Sequence, residues 1–367
     1  MTRGPLPGSG LLALRDQALD ALDRGDMWAA LALADAGMTA IEAAGPDGGA
    51  DAAALLIARA EIEEGLDRFG DAAVTIAAAI ALLAGGTAPD GAEDDDLLVL
   101  WCQAQERLAG LERTSGDLES AAARLRMVLD RAARELGETS RPVVSAANAL
   151  GVAYKSASDF DAAQACYERA MVAAGRWAEP DPLVMAGLLH NLGGLAHSRG
   201  DFSGGIPLAE RGVELRAEAV GEDHPDVARD LNALGALYQL AGRQEDAAGA
   251  YDRALALFES CYGPDHFEVG MTCANLSVLA GDRGRGREAE ALGRRSLRIL
   301  ESVLGPEDAE VGLTLLNLGA VVAREGRRAE GAELIIRAAA ILTARLPAGH
   351  PHRAAADRAV RYLDRPS

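Results

Sequence analysis

Lysine is all but missing from this sequence: Lys155, in the string AYKS, stands alone against 35 arginines. A phosphate-cradling P-loop needs Gly-Lys followed by Ser or Thr, so that route to nucleotide hydrolysis is excluded. Aromatic residues make up only 4% of the chain, whereas 49% is apolar and mostly Ala, Leu and Val. Such a composition suits closely packed helices built on small residues. The four cysteines, Cys102, Cys166, Cys261 and Cys273, form no C-x-x-C pair and are too scattered for a disulfide framework, so buried reduced thiols are expected. No run reaches the roughly 18 apolar residues of a membrane span. The start MTRGPLPGSG lacks the charged-then-apolar pattern of a signal peptide. HExxH and GxSxG are absent as well. These absences lead to the expectation of a soluble, cytoplasmic, non-enzymatic protein with no cofactor and no metal. Arginine in place of lysine points to a GC-rich, bacterial genome.

The net charge of −20 argues against nucleic acid or an anionic membrane as partner. It is unevenly spread: residues 1–100 carry 5 Arg against 18 acids, and residues 281–367 carry 15 Arg against 12 acids. A partner with basic character is therefore expected at the acidic N-terminal end. The run Glu93-Asp94-Asp95-Asp96 is read as a solvated loop that caps the helix starting near Leu97.

What the chain does have is a repeat. GEDHPDVARDLNALGALY begins at Gly221, and 42 residues later the pattern restarts at Gly263. The turn signal recurs without a gap near Gly116, Ser158, Gly200, Gly242, Gly284 and Gly326, and upstream near Gly70 and Gly25 at spacings of 46 and 45. Periodicity of this length marks a solenoid, which buries apolar surface between neighbouring units and grows as one body. The expected organisation is a flexible tail over 1–9, a solenoid over 10–346, and a capping helix with its tail over 347–367.

Residues 223–262 show how one unit builds itself. Val227, Leu231, Leu234, Gly235 and Tyr238 carry helical spacing (helix A); after Gly242-Arg243 the spacing resumes at Ala247, Ala250, Tyr251, Ala254, Leu255 and Phe258 (helix B). Gly263, like Gly137, Gly221 and Gly305, is placed to end a helix. Asp223 with Asp226, and Asp265 with Glu268, have the spacing of an N-cap and its acidic partner. His224, His266 and His350 belong to the same punctuation. Tyr238 and Tyr251, like Tyr154 and Tyr167, are expected to meet across their hairpin. Small residues at Ala121, Ala163, Gly205, Ala247, Ala289 and Gly331 let helix B approach helix A. In the last segment Ala355, Ala359, Val360 and Leu363 are expected inward, and Arg353, Arg358, Arg361 and Arg365 outward.

The string L-G-x-x-Y at Leu234 to Tyr238, the Gly242 turn, Ala247, Tyr251 and Ala254 resemble the tetratricopeptide pattern. With G-x-D-H-P-x-V at Gly221 and GPDH at Gly263, the units are similar to the 42-residue repeats of the kinesin light chain type, strongly over 97–346 and more weakly over 10–96. Ala196, Ala280 and Val322 depart from the helix A tyrosine, Ser277 from the glycine, and Gly293 from the helix B aromatic. The resemblance implies an all-α, right-handed superhelical α-solenoid of about eight helical hairpins plus a C-terminal capping helix. It also implies that helix A lines a concave groove in which asparagines contact bound peptides.

One asparagine stands one or two residues before the Leu of that pattern in each of five successive units: Asn148, Asn191, Asn232, Asn275 and Asn317. Asparagine is a poor mid-helix choice, and its amide can pair with any peptide backbone. Lys155, His197, Arg229, Gln239 and Arg324 are expected further along the groove, tuning specificity. The glycine-rich GDRGRGRE at 281–288 falls on an inter-helix turn, with Arg283, Arg285 and Arg287 as a basic spot. His190 and His197 lie too far apart to share a metal without other ligands. The functional expectation is an interaction scaffold for a protein or peptide partner. Two alternatives are a regulatory sensor acting on a separate effector, and a structural element that assembles with further copies of itself into a homo-oligomer.

Overall fold

The computed structural model describes residues 8–24, 26–44, 49–85 and 94–363. The tail before Gly8, the turn expected at Gly25, residues 86–93 of the acidic loop and Arg365 lie outside them. The described residues form seventeen α-helices and no strand. No helix among them is long and apolar enough to cross a membrane. Two compact units emerge, Met1–Asp181 and Pro182–Ser367.

The first unit contains four hairpins: α1 (Gly8–Asp23) with α2 (Met27–Ala44), α3 (Gly49–Gly65) with α4 (Phe69–Gly85), α5 (Asp94–Thr114) with α6 (Leu118–Glu135), and α7 (Arg141–Ser156) with α8 (Phe160–Ala174). The second pairs α9 (Pro182–Arg199) with α10 (Phe202–Val220), α11 (Pro225–Leu240) with α12 (Gln244–Tyr262), α13 (Phe267–Asp282) with α14 (Gly286–Leu304), and α15 (Ala309–Arg324) with α16 (Arg328–Arg345). It closes with α17 (Pro351–Leu363). Odd-numbered helices α1 to α15 are thus helix A of a hairpin, and even-numbered ones helix B.

From α3 onward, each turn within a hairpin places one residue in the left-handed region. Gly242 takes φ 78°, and Ser158 holds φ 62° at the same repeat position despite its side chain. In the α3–α4 hairpin that residue is Asp67, φ 58°. Gly70 is instead the second residue of α4, so this turn lies three residues before the sequence signal. GDRGRGRE likewise spans the α13–α14 turn, where Arg283 is bonded to Glu245.

The helix A caps differ from expectation in one detail. His224 and His266, not the preceding aspartates, are the N-caps of α11 and α13, their Nδ1 atoms accepting from Asp226 N and Glu268 N at 3.2 and 3.3 Å. Asp308 does the same for α15, accepting from Glu310 N at 2.8 Å. An imidazole lone pair and a carboxylate oxygen are interchangeable here because either satisfies one free amide of the first turn.

Hairpin packing is decided at a pair of positions sixteen residues apart. Tyr167 lies on Gly151 and Tyr251 on Gly235, so close that a Cβ on the glycine would sit 2.5 and 2.6 Å from the ring. In α13–α14 the sizes are exchanged: Ser277 faces Gly293, and its hydroxyl donates to the Ala289 carbonyl at 2.6 Å. The departures at Ser277 and Gly293 therefore compensate one another. Tyr238 and Tyr251, expected to meet across their hairpin, share one buried apolar cluster, while the Tyr238 hydroxyl leaves the hairpin. The Tyr238 hydroxyl reaches back to Glu210 on α10 at 2.6 Å, and Tyr154 reaches back to Arg126 on α6 at 3.3 Å. A helix A tyrosine thus bonds the preceding repeat, while a helix B tyrosine fills its own hairpin.

Apolar seams run between hairpins inside each unit. Val227, Leu231, Tyr251, Phe258, Val269 and Cys273 share one cluster in the second unit. The next includes Leu300, Leu315 and Ile341 and is closed by α17 through Ala356, with Ala355, Ala359, Val360 and Leu363 packed beside it. Arg353 does not point outward as expected; its guanidinium donates to the Leu346 carbonyl at 3.2 Å, satisfying the end of α16.

Candidate functional site on the helix A face

All five asparagines lie on A helices and are half-buried. They occupy two adjacent helical positions. Asn148 and Asn232 stand two residues before the Leu, while Asn191, Asn275 and Asn317 stand one before it, about 100° further round the helix. Stepping the first position by 42 residues lands on Glu106, Asn148, His190 and Asn232. Glu106 and His190 were missed because asparagines were traced by residue type; tracing the position would have found both.

In the second unit the structure joins the two positions. The Asn275 amide donates from Nδ2 to Asn232 Oδ1 at 3.1 Å. The pair keeps an N–H donor on Asn232 and a carbonyl acceptor on Asn275 for outside groups, the complement of one peptide unit. Asn191 also has an interaction partner, as do Asn148 in the first unit and His197, which meets Phe202 edge-on at 6.1 Å. Asn317 shares a face of α15 with exposed Arg324, seven residues on.

Arg229 and Gln239, expected to tune specificity, are tied across the repeat seam. Arg229 is bonded to Asp226, donates to Glu268 at 3.1 Å and reaches the Tyr262 hydroxyl at 3.2 Å. Gln239 donates to Asp282 at 2.9 Å and accepts from the Tyr251 hydroxyl at 3.3 Å. These bonds brace successive A helices on either side of the amide pair.

His190 belongs to a charged group that composition concealed. Its Nδ1 lies 2.8 Å from Asp230 Oδ1, and Arg216 Nε donates to Asp230 Oδ2 at 2.6 Å. The Asp230 side chain is only 6% exposed, so its charge is tolerable only because two partners hold it. Helices α9, α10 and α11 are joined through this one carboxylate.

The first unit carries different chemistry at the same level. Glu106 accepts from the Ser145 hydroxyl at 2.5 Å, across α5 and α7. Burial pushes its carboxyl up to about 7, outweighing the opposing effect of that hydrogen bond. Lys155 lies half-buried on α7, seven residues beyond Asn148, where desolvation lowers its ammonium pKa. Its equivalent in the second unit is Gln239, which receives the Tyr251 hydroxyl; the buried Tyr167 hydroxyl beside Gly151 has no partner.

This arrangement offers hydrogen-bonding amides and fixed charges. The buried thiols are poor nucleophiles, since desolvation raises Cys102 to about 12 and moves Cys273 in the same direction. Among the described residues no three His, Cys, Asp or Glu side chains gather closely enough to hold a metal ion.

Residues 102–173 and 184–260 match one tetratricopeptide repeat model, and residues 269–310 match a second. A search of curated proteins finds no match. Among solved structures, BtubC (BKLC) from P. vanneervenii is similar at 25% identity and TM-score 0.54, over 64% of this chain and 94% of that one. The apo quorum sensor NprR from B. thuringiensis reaches TM-score 0.65 at 12% identity, over 90% and 87%. A Rap protein complexed with competence and sporulation factor reaches 0.54 at 13%, over 97% and 98%.

Proposed function

Because this chain belongs to the tetratricopeptide repeat family, we propose that it is a non-enzymatic scaffold holding an extended peptide segment of a protein partner on its helix A face. The observation that carries this reading is the Asn232–Asn275 amide pair, which offers a donor and an acceptor to a passing backbone. Arg229, Gln239, Asn191, Asn317, His197 and Arg324 flank it on the same set of helices in the second unit. Asn148 and Lys155 are the corresponding groups in the first, where the acidic composition favours a segment with basic character.

Replacing Asn191, Asn232 and Asn275 together by alanine tests the reading. Affinity capture from native cell extract, followed by titration of the captured partner, should show a loss of about tenfold or more, equivalent to one or two net hydrogen bonds, with melting temperature nearly unchanged. Equal affinity for the partner removes the amide pair from the site.

A second reading is regulatory: the bound peptide acts as a signal that changes the packing between hairpins and thereby controls a separate effector. The fold likeness to the quorum sensor NprR supports it. A scattering radius that shifts on saturation with the captured peptide is expected on this reading, and an invariant radius rejects it.

A further inference from the structure

The first unit holds a cavity of about 500 Å³ lined by α1, α3 and α5, all helix A elements. That volume lies within the roughly 300–1,000 Å³ of small-ligand pockets. Its lining is divided in character. Ile57 and Leu100 supply apolar wall, while Glu61, Glu64 and Glu106 bring three carboxylates, and Arg15 and Arg107 two cations.

The cations do not balance the acids. Arg107 donates to Glu61 at 2.9 Å and to Glu64 at 3.0 Å, one guanidinium shared between two carboxylates. Arg15 is engaged by Asp16 at 2.7 Å, and Asp16 is not part of the lining. Glu106 has the neutral Ser145 hydroxyl as its hydrogen-bond partner. A visiting group with one positive charge would find a carboxylate surplus and apolar wall within the same cavity. Arginine and lysine have that build, with an aliphatic stem and a charged head.

We propose that this cavity binds an arginine or lysine side chain of a peptide segment, with Glu61, Glu64 and Glu106 around the charged head and Ile57 and Leu100 along the stem. The proposal rests on the peptide-scaffold reading and adds to it the side-chain chemistry that the first unit selects. An anionic group is disfavoured by the same carboxylates.

Binding also has a protonation signature. Burial holds the Glu106 carboxyl near the neutral range, so part of the population is protonated when the cavity is empty. An arriving cation favours the carboxylate and expels that proton. Glu106 shares the cavity lining with Arg107 on α5, Glu61 and Glu64 on α3 and Arg15 on α1, and its direct neighbours are Cys102 on α5 and the Ser145 hydroxyl on α7. Arg131 and Glu135 on α6 act on Cys102, and α4, which also packs on α5, contributes nothing to the lining.

The test is isothermal titration of the full chain at pH 6.5 with the capped peptide acetyl-Leu-Arg-Leu-amide and its citrulline counterpart, equal in shape and uncharged. Two buffers of different ionisation enthalpy report proton release. The arginine peptide should bind at least tenfold more tightly than the citrulline peptide. Its heat should differ between the buffers, and that difference should vanish in Glu106→Gln. Glu61→Gln with Glu64→Gln, checked by thermal melting for retained fold, should lower arginine-peptide affinity at least tenfold. Equal affinity for the two peptides, no heat at millimolar peptide, or undiminished proton release in Glu106→Gln overturns the proposal. Failure of the scaffold reading would be seen in partner capture, which this titration does not measure.

Discussion

Glu106 and His190 stand 84 residues apart at the same turn of helix A, one in each unit, and their surroundings have nothing in common beyond that position. Glu106 is a desolvated acid facing a hydroxyl, whereas His190 is an imidazole held by a buried carboxylate that also holds Arg216. The same contrast recurs one hairpin further on. Tyr167 and Tyr251 fill identical slots over glycine, but only the second finds a partner, because Gln239 stands where the first unit has Lys155. The repeat therefore conserves where a side chain stands and leaves its chemistry free. Packing is common property of both units, and the polar groups on helix A distinguish them.

The largest expected effect comes from removing the carboxylate that sets the second unit apart. Asp230→Ala leaves Arg216 and His190 without their shared partner and should cost about 3–5 kcal/mol in urea unfolding. A loss below about 1 kcal/mol would mean that Arg216 and His190 find water as easily as Glu106 finds Ser145, and the contrast would disappear.

The next is the pH response of the first unit. Glu106 is raised in the folded state from 4.5 to about 7, so between these values the folded chain binds more protons than the unfolded one. Stability should fall as pH rises through that window, by at most about 3 kcal/mol, and level off above it. Glu106→Gln should remove this part of the slope in melts recorded from pH 4.5 to 7.5; an unchanged slope would place its origin elsewhere.

The smallest is the tyrosine pair. Tyr251→Phe should lose about 1 kcal/mol with its bond to Gln239, while Tyr167→Phe should be neutral or slightly stabilising because its buried hydroxyl has no partner. Equal losses in denaturant titrations would show that the two hydroxyls are satisfied alike.

Much of the fold was legible because its determinants are local and repeat. Turn residues, caps and small contact positions recur every 42 residues, so one well-formed unit interprets its neighbours. The errors came where one function is open to several residue types. A histidine can cap as an aspartate does, as His224 and Asp308 show, and Asp67 can turn the chain where glycine was sought. The candidate site was half legible. Its asparagines could be traced, but the Asn232–Asn275 bond crosses two repeats, and Asp230 looked like any of the solvated acids of an acidic chain.

By itself the sequence determined the helical hairpins, their number and their contact residues, since spacing, caps and side-chain volume act within some 40 residues of chain. Only the tertiary structure decided which polar groups on helix A meet and which carboxylates lose their water. Those outcomes depend on the distance between side chains from different repeats and on the burial that neighbouring helices impose together.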